Sequence, residues 1–276
     1  MLYTALSRCR KAEGLYLLGF KPTALKANIK GRKEIERIRS SSLVTETHPR
    51  IDFPAVYPNN EYDHICLQNV RSIRMHKPDL LNDPIIMASD VICLTETCLP
   101  NSEWQGWSEF EDFFIHQQCR HDAYDEFELA TRKSGGVAIL SKSELIPTCI
   151  ADISNLEMIS CTTSLSSFDA ISITTIYKDH AMHKLSFEAK MQKIFELKAN
   201  SNSIIVGDFN YNMMEDKTLI KMAEAKGFKP LIDEATTFNN TLLDQVFINF
   251  EIPNLNVLNL PSYYSDHNLI VICIPK

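Results

Sequence analysis

No window of the 276-residue chain holds the eighteen or so uninterrupted apolar residues that a membrane-spanning helix requires. Its first residues lack a charged segment followed by an apolar signal core, so neither membrane insertion nor secretion is expected. There is no HExxH string and no CxxC pair, which removes the commonest sequence signs of a zinc site or a redox centre. The eight cysteines are scattered, most of them in apolar runs, and are expected as reduced, buried thiols. Without a GxxxxGK[ST] loop the chain has neither a backbone cradle nor a lysine for nucleotide phosphates. Internal repeats and low-complexity tracts are also missing. What remains, 45% hydrophobic and 23% charged, is the composition of a globular protein with a sizeable core.

Charge is distributed unevenly. Residues 1–60 carry 11 Lys/Arg against 5 Asp/Glu, a net +6, and residues 61–276 carry 17 against 30, a net −13. A basic leader suits contact with nucleic acid. An acidic body argues against a broad phosphate-binding face and leaves such binding to local patches and bound cations.

Taken in order, residues 2–20 read as helix, turn and strand, and residues 21–60 as a short solvated basic helix followed by a Pro-containing linker. A second unit follows over 61–276. Strands are expected at His64–Val70, Val91–Thr97, Gly135–Leu140, Met158–Leu165, Ala170–Tyr177, Leu242–Asn249 and Leu269–Ile274. Helices are expected at Lys77–Ala88, with Leu80, Leu81, Ile85 and Met87 inward, at His183–Ala199, with Leu185, Met191, Ile194, Phe195 and the stem of Lys198 inward, and near Glu215–Lys226. In SIIVGDFNYN (203–212), a β-branched run reads as a strand buried on both faces and broken by Gly207; Asp208 and Asn210 then point one way while Phe209 turns inward.

The polar residues of these segments share a position. Asn69, Glu96, Tyr177, Asp208, Asn210, Asp244 and the pair Asp266–His267 all lie at or next to strand ends. Each alone has a plain structural reading: a turn former for Asn69 and Asn210, a bend cap for Asp244, a satisfied core histidine for His267, a core ring with a wet tip for Tyr177. Together they suggest one shared site, because the apolar runs around them leave few other places for buried polarity. Carboxylate and amide oxygens suit Mg²⁺ or Mn²⁺ rather than zinc.

The strings QNVRS, CLTET, IY, GDFN, LLDQVF and SDH, in this order over residues 63–276, resemble the endonuclease/exonuclease/phosphatase family, and within it the endonuclease domains of mobile elements. That resemblance implies an α/β fold, a four-layered α-β-β-α sandwich of two mixed sheets, whose rim hydrolyses phosphate esters with a divalent cation. Carried over by position, it implies Glu96, Asn69 and Asp266 at the metal and Asp208 positioning or deprotonating the attacking water. It likewise implies Asn210 and Tyr177 beside the phosphate and His267 on the scissile phosphate with Asp244 orienting it. One departure stands out: where the mobile-element enzymes usually have Asn three positions after the tyrosine, this chain has His180.

The string TALSRCRKAEGLYLLG, near the start, is similar to the last ATPase motif of PIF-type superfamily 1 helicases, with Arg8 at the γ-phosphate position. With no phosphate loop in the chain, helicase activity is not expected, and residues 1–20 are read as the tail end of a helicase. A helicase joined to such a nuclease resembles Helitron-like elements. The expectation is therefore a Mg²⁺- or Mn²⁺-dependent DNA-nicking endonuclease, nuclear because of its substrate and without an obligate protein partner, with a small-ester phosphatase and a non-catalytic nucleic-acid-binding relic as alternatives.

Overall fold

The computed structural model describes residues 61–100, 103, 110–125, 134–150 and 153–276. The expectations for residues 1–20 and 21–60 lie outside them.

Two six-stranded mixed sheets form the frame. In the first, the order is β11(Asn256–Leu260), β12(Leu269–Pro275), β1(Tyr62–Asn69), β2(Val91–Thr95), β4(Val137–Ser141), β3(Phe114–Gln118). In the second it is β5(Ile146–Pro147), β6(Glu157–Leu165), β7(Phe168–Tyr177), β8(Ser203–Asp208), β10(Asp244–Ile248), β9(Lys229–Pro230). Each sheet contains one parallel pair, β1 with β2 and β7 with β8, and the remaining pairs are antiparallel.

Side-chain alternation explains the layering. Ile65, Leu67, Val91, Cys93, Val137 and Ile139 point from the first sheet into a core shared with Ile159, Ile173 and Val206 of the second. Their chain neighbours Cys66, Ile92, Leu94, Ala138 and Leu140 point the other way, onto Ile73 and Leu80 of α1(Ile73–Leu81) and Ile86 of α2(Pro84–Ala88). On the outer face of the second sheet, α4(Lys184–Lys198) packs Phe195 edge-on against Phe247 with 5.3 Å between ring centroids. Both central strand sets are thus covered on two faces, which is why they read as continuous apolar runs. The result is the four-layered sandwich expected.

Several boundaries differ from the sequence reading. The helix expected over Lys77–Ala88 is two: Asp83 caps α2 by accepting from the amides of Ile85 and Ile86, and Pro84 occupies its first turn, so the proline starts a helix instead of weakening one. Ile86, not Ile85, is the fully buried residue there. In α4 the inward stripe is Phe187, Met191, Ile194, Phe195 and Lys198, while Leu185 is 67% exposed, because it lies two residues before Phe187 and hence on the opposite side of the helix. The third helix expected, Glu215–Lys226, is confined to α5(Thr218–Glu224). Gly207 does not break its strand. It continues β8 opposite Ile176, and the backbone of β7 comes so close that a Cβ at Gly207 would collide with the Ile176 carbonyl.

The cysteines behave as expected: among the described residues all are free thiols, five are buried, Cys98 is half-buried and Cys149 alone is exposed.

Candidate active site

The sheet topology brings the polar strand ends to one rim. β1, β2, β7 and β8 deliver Asn69, Glu96, Tyr177 and Asp208 at or just past their C-terminal ends. Because β10 runs antiparallel to β8 and β12 antiparallel to β1, these two contribute at their starts: Asp244 sits directly opposite Asp208, and His267 precedes β12. Tyr177 is paired with Asp208 across β7 and β8. A one-residue slip in either register would turn these side chains to the other face of the sheet.

At the centre is Asn69, fully buried, whose Nδ2 donates to Glu96 Oε1 at 3.0 Å and to Asp208 Oδ2 at 2.9 Å. Tyr177 donates its hydroxyl to the same Glu96 oxygen at 3.2 Å. The other Asp208 oxygen accepts from the Asn210 amide at 2.9 Å. Across the cleft, His267 Nδ1 lies 2.8 Å from Asp244 Oδ2, and its Nε2 points toward Asp208 Oδ2 at 3.9 Å. Asp244 is held in turn by Thr236, whose hydroxyl donates to the carboxylate at 2.7 Å and accepts from the backbone amides of Leu243 and Asp244. Ser265 donates to the Asn69 carbonyl at 2.7 Å and accepts from the His267 amide, tying the histidine loop to β1.

Electrostatics follow from this burial. Asp208 is pushed up to about 7, first by burial and then by the charge of Asp244, with His267 opposing. Burial alone would lower His267, but Asp244 outweighs it, helped by Asp208 and Asp266, and holds the imidazole up at about 9. The Tyr177 hydroxyl is raised far above its ordinary value by burial and by Glu96 and Asp208, so it stays neutral and donates.

The cleft above these groups has a volume of about 380 Å³, with Arg71, Asp179, His180, Asn210, Asn239 and Asp266 among the residues of its wall.

Residues 60–267 match the model of the Endonuclease/Exonuclease/phosphatase family. The chain belongs to that family. Its fold is shared with the human Nocturnin catalytic domain, at 17% identity and a TM-score of 0.56, over 79% of this chain and 94% of that one. The endonuclease domain of TRAS1, a telomere-specific non-LTR retrotransposon, aligns at 13% identity and a TM-score of 0.57, over 77% and 98%. An AP endonuclease from Archaeoglobus fulgidus aligns at 13% identity and 0.54, over 77% and 99%. No curated protein matches the chain in sequence. Family membership makes this a hydrolase of phosphate esters by fold.

Of the residues expected at a shared site, Asn69, Glu96, Tyr177, Asp208, Asp244 and His267 form one connected cluster. Asn210 lines the same cleft but spends its side-chain amide on the Lys178 carbonyl at 2.7 Å. Asp266 stands at the rim, 3.1 Å from the guanidinium of Arg71 and half-exposed. Sequence reasoning passed over Thr236, Ser265 and Arg71. The first two act through backbone amides and carbonyls, which leave no periodicity, and Arg71 was visible only as the next polar residue after Asn69.

The donors fit a hard divalent ion. Asp208, Asp244 and His267 offer atoms within 4.8 Å of one another, and Glu96 adds a carboxylate on the other side of Asn69. His267 supplies positive charge to the adjacent buried acids Asp208 and Asp244, while the carboxylate oxygens of Glu96 and Asp208 flanking Asn69 are the donor type that suits Mg²⁺ or Mn²⁺. Asn69 presents its amide nitrogen to the acids and its oxygen to the Arg71 amide at 3.0 Å; offering oxygen to an ion would require the amide to turn and give up the Arg71 bond.

Proposed function

We propose that the chain is a Mg²⁺- or Mn²⁺-dependent DNA endonuclease that nicks one strand. The observation that carries this reading is one cluster beneath a single cleft: Glu96, Asn69 and Asp208 are joined by hydrogen bonds, the Asp244–His267 pair turns Nε2 toward Asp208 at 3.9 Å, and Glu96 and His267 both line the cleft.

Glu96, with the Asn69 amide oxygen and the cleft side of Asp208, would hold the ion, and Asp266 would add charge from the rim. When bound, the cation polarises a phosphoryl oxygen and offsets charge building in the transition state. Asp208, buried and held by two amide donors, orients a water and takes its proton. His267, kept cationic and fixed in orientation by Asp244, donates from Nε2 to a phosphate oxygen. Tyr177 and Asn210 flank the same phosphate.

Three features support DNA over a small ester: the sequence strings that resemble mobile-element endonucleases, the TRAS1 endonuclease domain among proteins of this fold, and the +6 leader. On this reading residues 1–20 are the stub of a helicase, the origin is Helitron-like, and the site of action is the nucleus. One feature favours a phosphatase instead: residues 61–276 carry a net −13, which a small ester tolerates better than a polyanion.

Supercoiled plasmid incubated with Mg²⁺ should be converted to open circle by the full chain, with chelation abolishing the conversion. Asp208→Ala and His267→Ala should each slow it by about a hundredfold or more. Phosphate release from small esters without nicking would move the assignment to a phosphatase, and DNA binding with neither activity would make the chain a relic.

A further inference from the structure

Behind the cleft lies a second polar cluster that none of the steps above uses. Arg120, on the short helix α3(Arg120–Ala123), is 4% exposed and does not line the cleft. Its Nη1 donates to Glu157 Oε1 at 3.0 Å, and its Nη2 forms an ion pair with Asp179 Oδ2 at 2.6 Å. Both acids are buried, and the guanidinium stacks 4.9 Å from the ring centre of Tyr124.

Each acid leads to a different wall of the cleft. Glu157 opens β6 opposite Tyr177, and its second oxygen accepts from the Gly136 amide. Gly135 and Gly136, both at positive φ, are packed so tightly that a Cβ on the first would strike the Glu157 carboxylate and on the second Thr97. Their carbonyls accept from the amides of Cys98 and Thr97, at 2.8 and 3.2 Å. Those two residues close the turn that holds Glu96 at φ 52, a conformation its own side chain does not favour. Asp179, on the other branch, accepts from the Ala181 amide at 2.7 Å and fixes the loop that follows Tyr177. That loop supplies the Lys178 carbonyl that anchors Asn210, and it carries His180 into the cleft wall.

We propose that Arg120 is a positioning residue, which through Glu157 and Asp179 sets the separation between the Glu96 turn and the loop 178–181. The proposal rests on the metal-dependent reading above for its consequence, and on contacts alone for its geometry. Without the guanidinium, the buried Glu157 and Asp179 lose the cation that joins them, and the two loops they hold part to let water in. A Glu96 that wanders holds a cation less well, in the way that outer partners of metal ligands tune affinity.

The test compares the wild-type full chain with Arg120→Met, Arg120→Lys and the control Lys198→Met, which removes a buried cation that binds Ser160 and Ser172 away from the cleft. Hydrogen exchange at the amides of Thr97, Cys98 and Ala181 should quicken by about tenfold or more in Arg120→Met. The dissociation constant for Mn²⁺ alone, by calorimetry, should rise by about tenfold. Arg120→Lys should fall between, since one ammonium cannot serve two carboxylates as a planar fork does. Lys198→Met should move neither readout. A folded Arg120→Met with wild-type protection at those amides overturns the proposal. Should that variant not fold, Asp179→Asn replaces it: the Ala181 amide should lose protection while Thr97 and Cys98 keep theirs, and unchanged Ala181 exchange overturns the proposal. A wild type that binds no Mn²⁺ defeats the proposed function, and the amide exchange then decides this inference by itself.

Discussion

At the scale of single residues, the Asp244–His267 contact shows how much of the site is orientation. The Nδ1 to Oδ2 distance of 2.8 Å leaves Nε2 facing the cleft, and Thr236 fixes the carboxylate that fixes the ring. Asp244→Asn keeps the shape but loses the charge that holds the imidazole cationic, so nicking should slow by about a hundredfold or more with little change in KM. Thr236→Val should show the same pattern more weakly, about tenfold, and a KM effect without a rate effect would contradict it. Asp208, Asp244 and His267 were legible because each interrupts or flanks a run of buried apolar residues. Thr236 was not, since a threonine in a polar loop carries no signal until its hydroxyl is seen against a carboxylate. Gly207 was misread as a breaker for a similar reason: its need for close approach to the Ile176 carbonyl lies in the neighbouring strand, not in its own segment. Gly207→Ala should destabilise the fold by about 2–3 kcal/mol in urea unfolding, the size of an overpacked core site, and a neutral result would show that β7 and β8 can spread apart.

At the scale of elements, the strands invisible in the sequence are β3, β5, β9 and β11, and these are the four sheet edges. An edge strand has one unpaired side and partial exposure, as the half-buried runs of β3 and β11 show, so it lacks the apolar pattern that betrays β1, β2 or β8. The interior strands were legible because helices cover the outer faces of both sheets. The start of β6 adds a charge effect that only the fold creates. Burial raises the Glu157 carboxyl from 4.5 to about 7, against the opposing pull of the Gly136 amide and Arg120. Between those values the folded chain keeps a proton that the unfolded chain has lost. The stability it contributes is complete below about pH 4.5 and is gone above about pH 7, a swing of about 3 kcal/mol. Glu157→Gln lacks this proton exchange. Wild-type stability relative to that variant should therefore fall as pH rises from 5 to 8, and a difference independent of pH in parallel urea titrations would contradict the assignment.

At the scale of the whole molecule, the sandwich brings groups 199 residues apart into hydrogen-bond contact, as between the Gln68 side chain and the His267 carbonyl. The family resemblance made that gathering legible before any coordinates. Residue types alone gave only a list of strand ends, because which ends meet depends on register and on the two parallel pairs, neither of which a single strand encodes. On the proposed reading, the net −13 of residues 61–276 leaves phosphate binding to local groups: Arg71 and His267 supply positive charge at the cleft, and Glu96 and Asp208 supply oxygens for a cation. On the proposed function, one divalent ion sits among the oxygens of Glu96, Asn69 and Asp208. Anomalous diffraction from crystals soaked in Mn²⁺ measures this directly. A single strong peak is expected between the Glu96 and Asp208 carboxylates, with the Asn69 amide turned to present oxygen. A cleft without a peak at saturating Mn²⁺, or a peak held by other residues alone, would contradict it.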